Sequence, residues 1–147
     1  MTPAPDAPAD IVRRFLLALE AGDLDTAMGL LADDAVWINV SLPAVRGRRA
    51  IDRACRLAME RLGVGFRVHL EHVAAEGDTV LTDRADAITR GRFEQRFWVY
   101  GRFVVRDGRI VVWRDAFDWG DLTVGLLRGL AGLAAPALNR PWPGPAR

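Results

Sequence analysis

The sequence contains no lysine. All 20 of its basic side chains are arginines, set against 19 acidic ones for a net charge of +1. Without a lysine amine, Schiff-base chemistry of the lysine type is excluded. The near-balance of charge gives no electrostatic case for binding nucleic acid or an anionic membrane surface. Cysteine is almost absent as well. Cys55 stands alone, which rules out an internal disulfide and a cysteine-cluster zinc site; it falls in a helical stretch and reads as a packing residue. No apolar run approaches the roughly 18 residues that span a bilayer. The N-terminus, MTPAPDAPAD, has neither the basic nor the apolar region of a secretory leader, so the expectation is a soluble cytoplasmic protein without membrane insertion. A glycine-rich phosphate loop is missing, and Ser41 has no nucleophile elbow around it.

What is present is apolar: half of the 147 residues, enough for one domain, 1–147, with a full core. Its ends, 1–8 and 137–147, are rich in proline and alanine and read as irregular tails. Helical spacing of Ile11, Phe15 and Leu19 predicts a helix over 11–20 capped by Asp10 and ended by Gly22. A second short helix starts at Asp23 or Asp25 and ends near Asp33-Asp34. Residues 35–40, AVWINV, read as a strand, followed by a turn around Gly47. A third helix fits 48–62, with Ile51, Cys55, Leu57, Ala58 and Leu62 inward and an arginine-rich face in water.

From Phe66 the period changes to two. Four strands follow, FRVHLEHV, TVLTDRADAI, FEQRFWVYGRFVV and RIVVWRDAF, separated by tight turns at Gly77, Gly91 and Asp107-Gly108. Such turns make an antiparallel meander. A last helix over 121–135 carries Leu122, Leu126, Leu127, Leu130 and Leu133, of which Leu122, Leu126 and Leu130 read as pocket cover and core, and Pro136 stops it. The order α-α-β-α-β-β-β-β-α predicts an α+β cone, with helices on one face of a curved sheet.

Strand alternation then isolates some unexpected polar residues. Val80, Thr82, Arg84, Asp86 and Ile88 share one face, as do Val111, Trp113, Asp115 and Phe117; Trp37 and Asn39 share another. The opposite faces, Leu81-Asp83-Ala85-Ala87 and Ile110-Val112-Arg114-Ala116, are also mixed, so parity alone does not choose which face is buried. If the first set faces inward, two carboxylates and a guanidinium converge, and burying them demands pairing. Two readings stand on spacing alone: an ion-pair network that fixes the sheet, or a working acid–base site. His69 and His72, three apart on a strand, are expected on opposite faces and not as joint metal ligands. Asp118 reads as a helix cap, together with Asp121.

The segments VLTDRADAI and FWVYGRFVVRDGRIVVWRDAFDW, with WINVSLPAVRGRRAI before them, resemble the limonene-1,2-epoxide hydrolase family, within the NTF2-like (SnoaL-like) cone folds. The likeness runs over roughly residues 10–135. It implies a curved mixed or antiparallel sheet with helices on its concave face around a deep pocket. It also implies a cofactor-free, metal-free hydrolase that adds water to an epoxide in one step, and a homodimer; by composition, Leu122, Leu126 and Leu130 with Phe97, Val99 and Phe117 suggest that the epoxide is lipophilic. Carried over by position, the family's Asp-Arg-Asp set falls on Asp86, Arg84 and Asp115. Its water-holding Tyr and Asn fall on Trp37 and Asn39, so the Asn is retained and the Tyr is not. An indole N–H only donates, whereas a phenol donates and accepts. Trp113, Phe117, Leu122 and Leu126 are expected to form the substrate pocket. The same cone also serves isomerases and polyketide cyclases, for which Tyr100, the only tyrosine, would have to reach the pocket; a non-catalytic module binding lipophilic ligands is a further alternative.

Overall fold

The structure, a computed structural model, describes residues 6–143. Residues 1–5 and 144–147, parts of the two expected tails, lie outside the described residues. Helix α1, Pro8–Ala21, buries Ile11, Val12, Phe15, Leu16 and Leu19 along one stripe and closes on Gly22 at φ 72°. Asp10 lies inside its first turn and is not the cap; Ala7 precedes Pro8, whose fixed φ and missing N–H suit a first helical position. Asp23 caps α2, Leu24–Gly29, by accepting from the Thr26 N–H at 3.1 Å. This helix ends earlier than expected, because strand β1, Leu31–Asn39, already begins where Leu31 enters the core opposite Ile110.

The turn after β1 contains a two-residue strand, β2, Val45–Arg46, antiparallel to Val36 and Trp37. Helix α3, Arg48–Arg56, buries Ile51 and Cys55 and then widens into a π-type turn over Leu57–Arg61. The wider turn rotates the face that follows. Leu57 and Leu62, expected inward, are exposed, while Ala58 and Met59 turn toward the cavity under the helices.

The meander is β3 Gly65–Glu76, β4 Thr79–Arg90, β5 Phe93–Arg106 and β6 Arg109–Ala116. The six strands lie in the order β2-β1-β6-β5-β4-β3, antiparallel except where β1 runs parallel to β6. Two bulges alter the expected parity. One at Glu71 shifts β3, so His69 lies opposite Ala85 and His72 opposite Asp83, and both histidines face outward. One at Val111 shifts β6, so Ile110 pairs with Val105 and joins the core in place of Val111. Helices α1 and α3 cover the face carrying Thr82, Arg84, Asp86, Trp113 and Asp115, and a fully buried cluster of Phe15, Leu16, Ile51, Val80 and Phe103 fills the space between. Each such side chain contributes about 1.5–3 kcal/mol of burial.

Helix α4, Trp119–Ala134, is capped by Asp118, which accepts from the Asp121 N–H at 2.7 Å. Its leucines do not form the core. The buried positions are Gly125, Gly129 and Gly132. A Cβ on Gly125 would overlap the Arg96 carbonyl, and one on Gly129 would lie 2.6 Å from the Glu94 carbonyl. The helix therefore rests its backbone on β5, and Leu126, Leu127, Leu130 and Leu133 point to solvent. The chain beyond it is held to the sheet. A 3-10 turn at Pro136–Leu138 leads to Asn139, which donates to the Glu94 carbonyl at 2.8 Å, and to Trp142, which stacks under the Arg67 guanidinium at 4.1 Å. This segment lies beside Ala85 on the outer face, so both faces of β4 carry buried residues and the sequence parity looked undecided.

Candidate active site

Arg84 is the largest fully buried side chain among the described residues, with 1% of its surface exposed. Arginine is buried only when its charge and donors are matched. Its Nε donates to both oxygens of Asp86, at 2.9 and 3.1 Å, and its Nη2 donates to Asp115 Oδ1 at 2.8 Å. Nη1 donates to Thr82 Oγ1 at 3.1 Å. Asp86 comes from the same face of β4 and Asp115 from β6, with β5 between them. The other oxygen of Asp115, Oδ2, accepts the indole N–H of Trp113 at 2.8 Å. Alternation placed Trp113 and Asp115 on one face, but Trp113 was read as pocket wall only; its bond to the carboxylate was missed.

Burial pushes the Asp86 carboxyl up to about 6. The charge and hydrogen bonds of Arg84 oppose that rise, and the nearby Asp115 charge adds to it. For Arg84 burial works against the charged form, but the two carboxylates outweigh it and hold the guanidinium more firmly protonated than usual.

These groups form the polar end of a cavity of about 230 Å³ whose remaining wall is apolar. Trp37, Asn39, Trp113, Phe117 and Leu122 line it, with Phe97 and Val99 from β5. Leu126 does not; it lies one turn further along α4, 40% exposed. Sequence reasoning missed the wall from α3, where Ala54, Cys55 and Met59 face the cavity. The Cys55 thiol is pushed up to about 11, chiefly by burial and then by Asp52, so it is a poor nucleophile. Trp37 stacks flat on Trp113, with ring centroids 4.6 Å apart, and Phe15 meets Trp113 edge-on from α1. The Trp37 Nε1 is buried and has no hydrogen-bond partner among the described residues. Asn39 lies directly opposite Asp115 across the parallel β1–β6 ladder. Tyr100 is outside the cavity, 63% exposed on the outer face opposite Asp83. Among the described residues no group of three or more His, Cys, Asp or Glu side chains is placed to hold a metal, and no helix is long and apolar enough to cross a membrane.

The model of the limonene-1,2-epoxide hydrolase catalytic domain matches residues 6–128. The chain belongs to that family. It is 44% identical over 128 residues to the epoxide hydrolase EphG of Mycobacterium tuberculosis, covering 87% of this chain and 85% of EphG. It superposes with a TM-score of 0.87 on a solved LEH-like epoxide hydrolase of M. tuberculosis, 42% identical, covering 92% of this chain and 95% of the other. A more distant structure, the epoxide hydrolase/cyclase-like enzyme SalBIII, shares the fold at 19% identity, with a TM-score of 0.69 over 78% of this chain and 92% of its own. The family's fold and the cone described above are thus the same α+β architecture.

Proposed function

We propose that this epoxide hydrolase of the limonene-1,2-epoxide hydrolase family adds one water to a lipophilic epoxide through Asp115, Arg84 and Asp86, without a covalent intermediate. The observation that carries this reading is one buried guanidinium bridging two carboxylates at the polar end of an otherwise apolar cavity. Asp115 acts as the carboxylate base. A water between Asp115, the Asn39 amide and the unpaired Trp37 N–H gives one proton to Asp115 and its oxygen lone pair to an epoxide carbon. The Trp37 N–H suits the water oxygen, which accepts, and Asn39 Oδ1 accepts a hydrogen bond from the second water O–H, whose proton stays on the new hydroxyl. As the ring C–O bond breaks, protonated Asp86 gives its proton to the leaving oxygen. A vicinal diol results, and return of the proton from Asp115 to Asp86 restores the enzyme. The raised Asp86 carboxyl fits a general acid, since a group held near neutrality keeps a proton to give.

The Arg84 bridge holds both carboxylates in place and spares the site a mobile counter-ion. An apolar wall of Phe97, Val99, Phe117 and Leu122 favours a lipophilic substrate. An isomerase using Tyr100 as oxyanion donor has no support from the geometry, since that ring lies on the opposite face of the sheet. The homodimer implied by the resemblance is part of the same proposal.

The decisive experiment is Asp115→Asn assayed for diol formation from terpene, aromatic, fatty and sterol epoxides. Turnover falls by about 10²–10⁴-fold, the range for losing a general base, while circular dichroism keeps the native spectrum. Retained turnover removes Asp115 as base. In labelled water, a single turnover by the native enzyme puts the label into the diol; label appearing first in an enzyme carboxylate would establish an ester route instead.

A further inference from the structure

Resting on the Asp–Arg–Asp reading above, we infer that Thr82 and Gly101 are positioning residues, which together form the seat that aims Arg84 at its two carboxylates. Arg84 stands on β4 opposite Val99, but one of its partners, Asp115, stands on β6. To reach it the guanidinium must cross β5. The place where it crosses is set by register: Thr82 pairs with Gly101, and Gly101 pairs with Asp115. Thr82, Gly101 and Asp115 thus form a row across three strands, on the same inward face as Arg84.

Gly101 is buried in the middle of a 14-residue strand. Glycine there weakens a strand unless another backbone or side chain must approach closely. Its backbone is not in the left-handed region, so conformation does not call for glycine. Space does. A Cβ at 101 would overlap both Arg84 Nη1 and Thr82 Oγ1 and would lie 2.9 Å from Phe103 Cε2. The missing side chain is the channel through which the guanidinium passes. Thr82, also buried, accepts from Nη1 at 3.1 Å and fixes the rotation of the guanidinium plane about its long axis. With Nε on Asp86, Nη2 on Asp115 and Nη1 on Thr82, each guanidinium nitrogen has a partner, and the plane has one orientation. A valine at 82 keeps the shape and removes the acceptor.

The test compares the native enzyme with Thr82→Val, Thr82→Ser and Gly101→Ala. Two readouts are used: steady-state kinetics on limonene-1,2-epoxide, and carboxyl carbon NMR of Asp86 against pH, which needs no substrate. Thr82→Val is expected to lower kcat on the order of tenfold, the scale of one lost hydrogen bond to a charged group, with KM within about twofold. Thr82→Ser is expected to restore the native rate. Gly101→Ala is expected to cost on the order of 10²-fold, the scale of a displaced catalytic group. In Thr82→Val and Gly101→Ala the Asp86 midpoint, near 6 in the native protein, moves upward, because a loosened Arg84 holds the carboxylate less well. Native kcat and an unmoved Asp86 midpoint in Thr82→Val would overturn the inference, and so would a serine variant as impaired as the valine. If Gly101→Ala does not fold, the Thr82 pair decides. If the native protein opens no epoxide, the functional reading fails by itself, and the Asp86 titration still decides whether Thr82 aims Arg84.

Discussion

Two arginines in this protein each gather more than one carboxylate, and burial gives them opposite meanings. Arg56 on α3 bonds Asp52 at 2.8 Å, Glu60 at 3.0 Å and Asp25 of α2 at 2.6 Å. Arg84 bonds Asp86 and Asp115 at nearly the same distances. Around Arg56 the solvent screens every charge, and pairs of this kind add little to stability. Around Arg84 the charged groups are almost wholly buried, so screening by bulk solvent is much weaker. There burial pushes the Asp86 carboxyl up to about 6, although the cation in contact with it works the other way. Equivalent contacts therefore make a surface brace in one place and a buried, charge-matched cluster, the proposed acid–base site, in the other. The outer face of the sheet holds an intermediate case with the roles inverted: two arginines, Arg67 and Arg96, reach one half-buried carboxylate, Glu94, and their guanidinium groups lie by Trp142.

The contrast is broken most severely at Arg84 itself. Arg84→Gln leaves two buried carboxylates without their cation, and removing one partner of a buried pair costs about 3–5 kcal/mol. Urea unfolding of this variant is expected to show that loss, and diol formation is expected to disappear even where the protein is still folded. A variant with native stability and native turnover would mean that the buried pair is no more than a second surface brace.

A milder perturbation is pH. The proposed acid, Asp86, must be protonated to work, so kcat is expected to decline as pH rises through about 6. The effect on stability has the same sign. The folded-state value lies above the ordinary 3.8, so the native state holds this proton more tightly than the unfolded chain. Its stabilising contribution is complete below about pH 4 and is lost as pH climbs to about 6. A shift of that size corresponds to about 3 kcal/mol. Asp86→Asn is expected to flatten this part of the stability profile, measured by urea unfolding at pH 4, 6 and 8. An unchanged slope would place the titration elsewhere.

How far the site was legible depended on what each element encodes. Alternation alone put Arg84 with Asp86 and Trp113 with Asp115, because a strand's side-chain period is fixed. It carried no information on whether those two faces meet; that step came from the family resemblance, and the Arg84–Asp115 bond supplies it physically. The errors lie where one residue breaks the period. The bulges at Glu71 and Val111 leave no mark in composition, yet they moved His72 and Ile110 to the other face. The π-type turn did the same for Leu62, which follows it. Helix α4 misled for another reason. Its leucines have core-like spacing, but Gly125, Gly129 and Gly132 also share a stripe, and small residues let a helix backbone sit directly on a strand. That stripe was a readable signal that Leu126 faces away from the pocket. Gly101 and Thr82 were readable in the same way, as a glycine without a turn and a hydroxyl on a buried face.

The smallest expected effect sharpens the comparison from its other side. Arg56→Ala removes three ion pairs at once from the α2–α3 surface, one more partner carboxylate than Arg84 has. If number of pairs governed importance, this would be the more damaging change. Screening predicts the reverse. Arg56 and its partners Asp25 and Glu60 are solvated, so each loses little water on pairing and regains it on separation. Turnover and KM are expected to match the native enzyme. Thermal unfolding is expected to show a slight loss at low salt that fades at about 1 M salt, where the Debye length falls to about 3 Å. The buried site should not respond to salt in that way: the stability difference between the native protein and Arg84→Gln is expected to change little across the same salt series, because its three charged side chains are buried and so screened much less. A strong, salt-independent loss in Arg56→Ala would show that pairing on α3, whose next turn forms the cavity wall at Ala58 and Met59, shapes the pocket as well as bracing the surface.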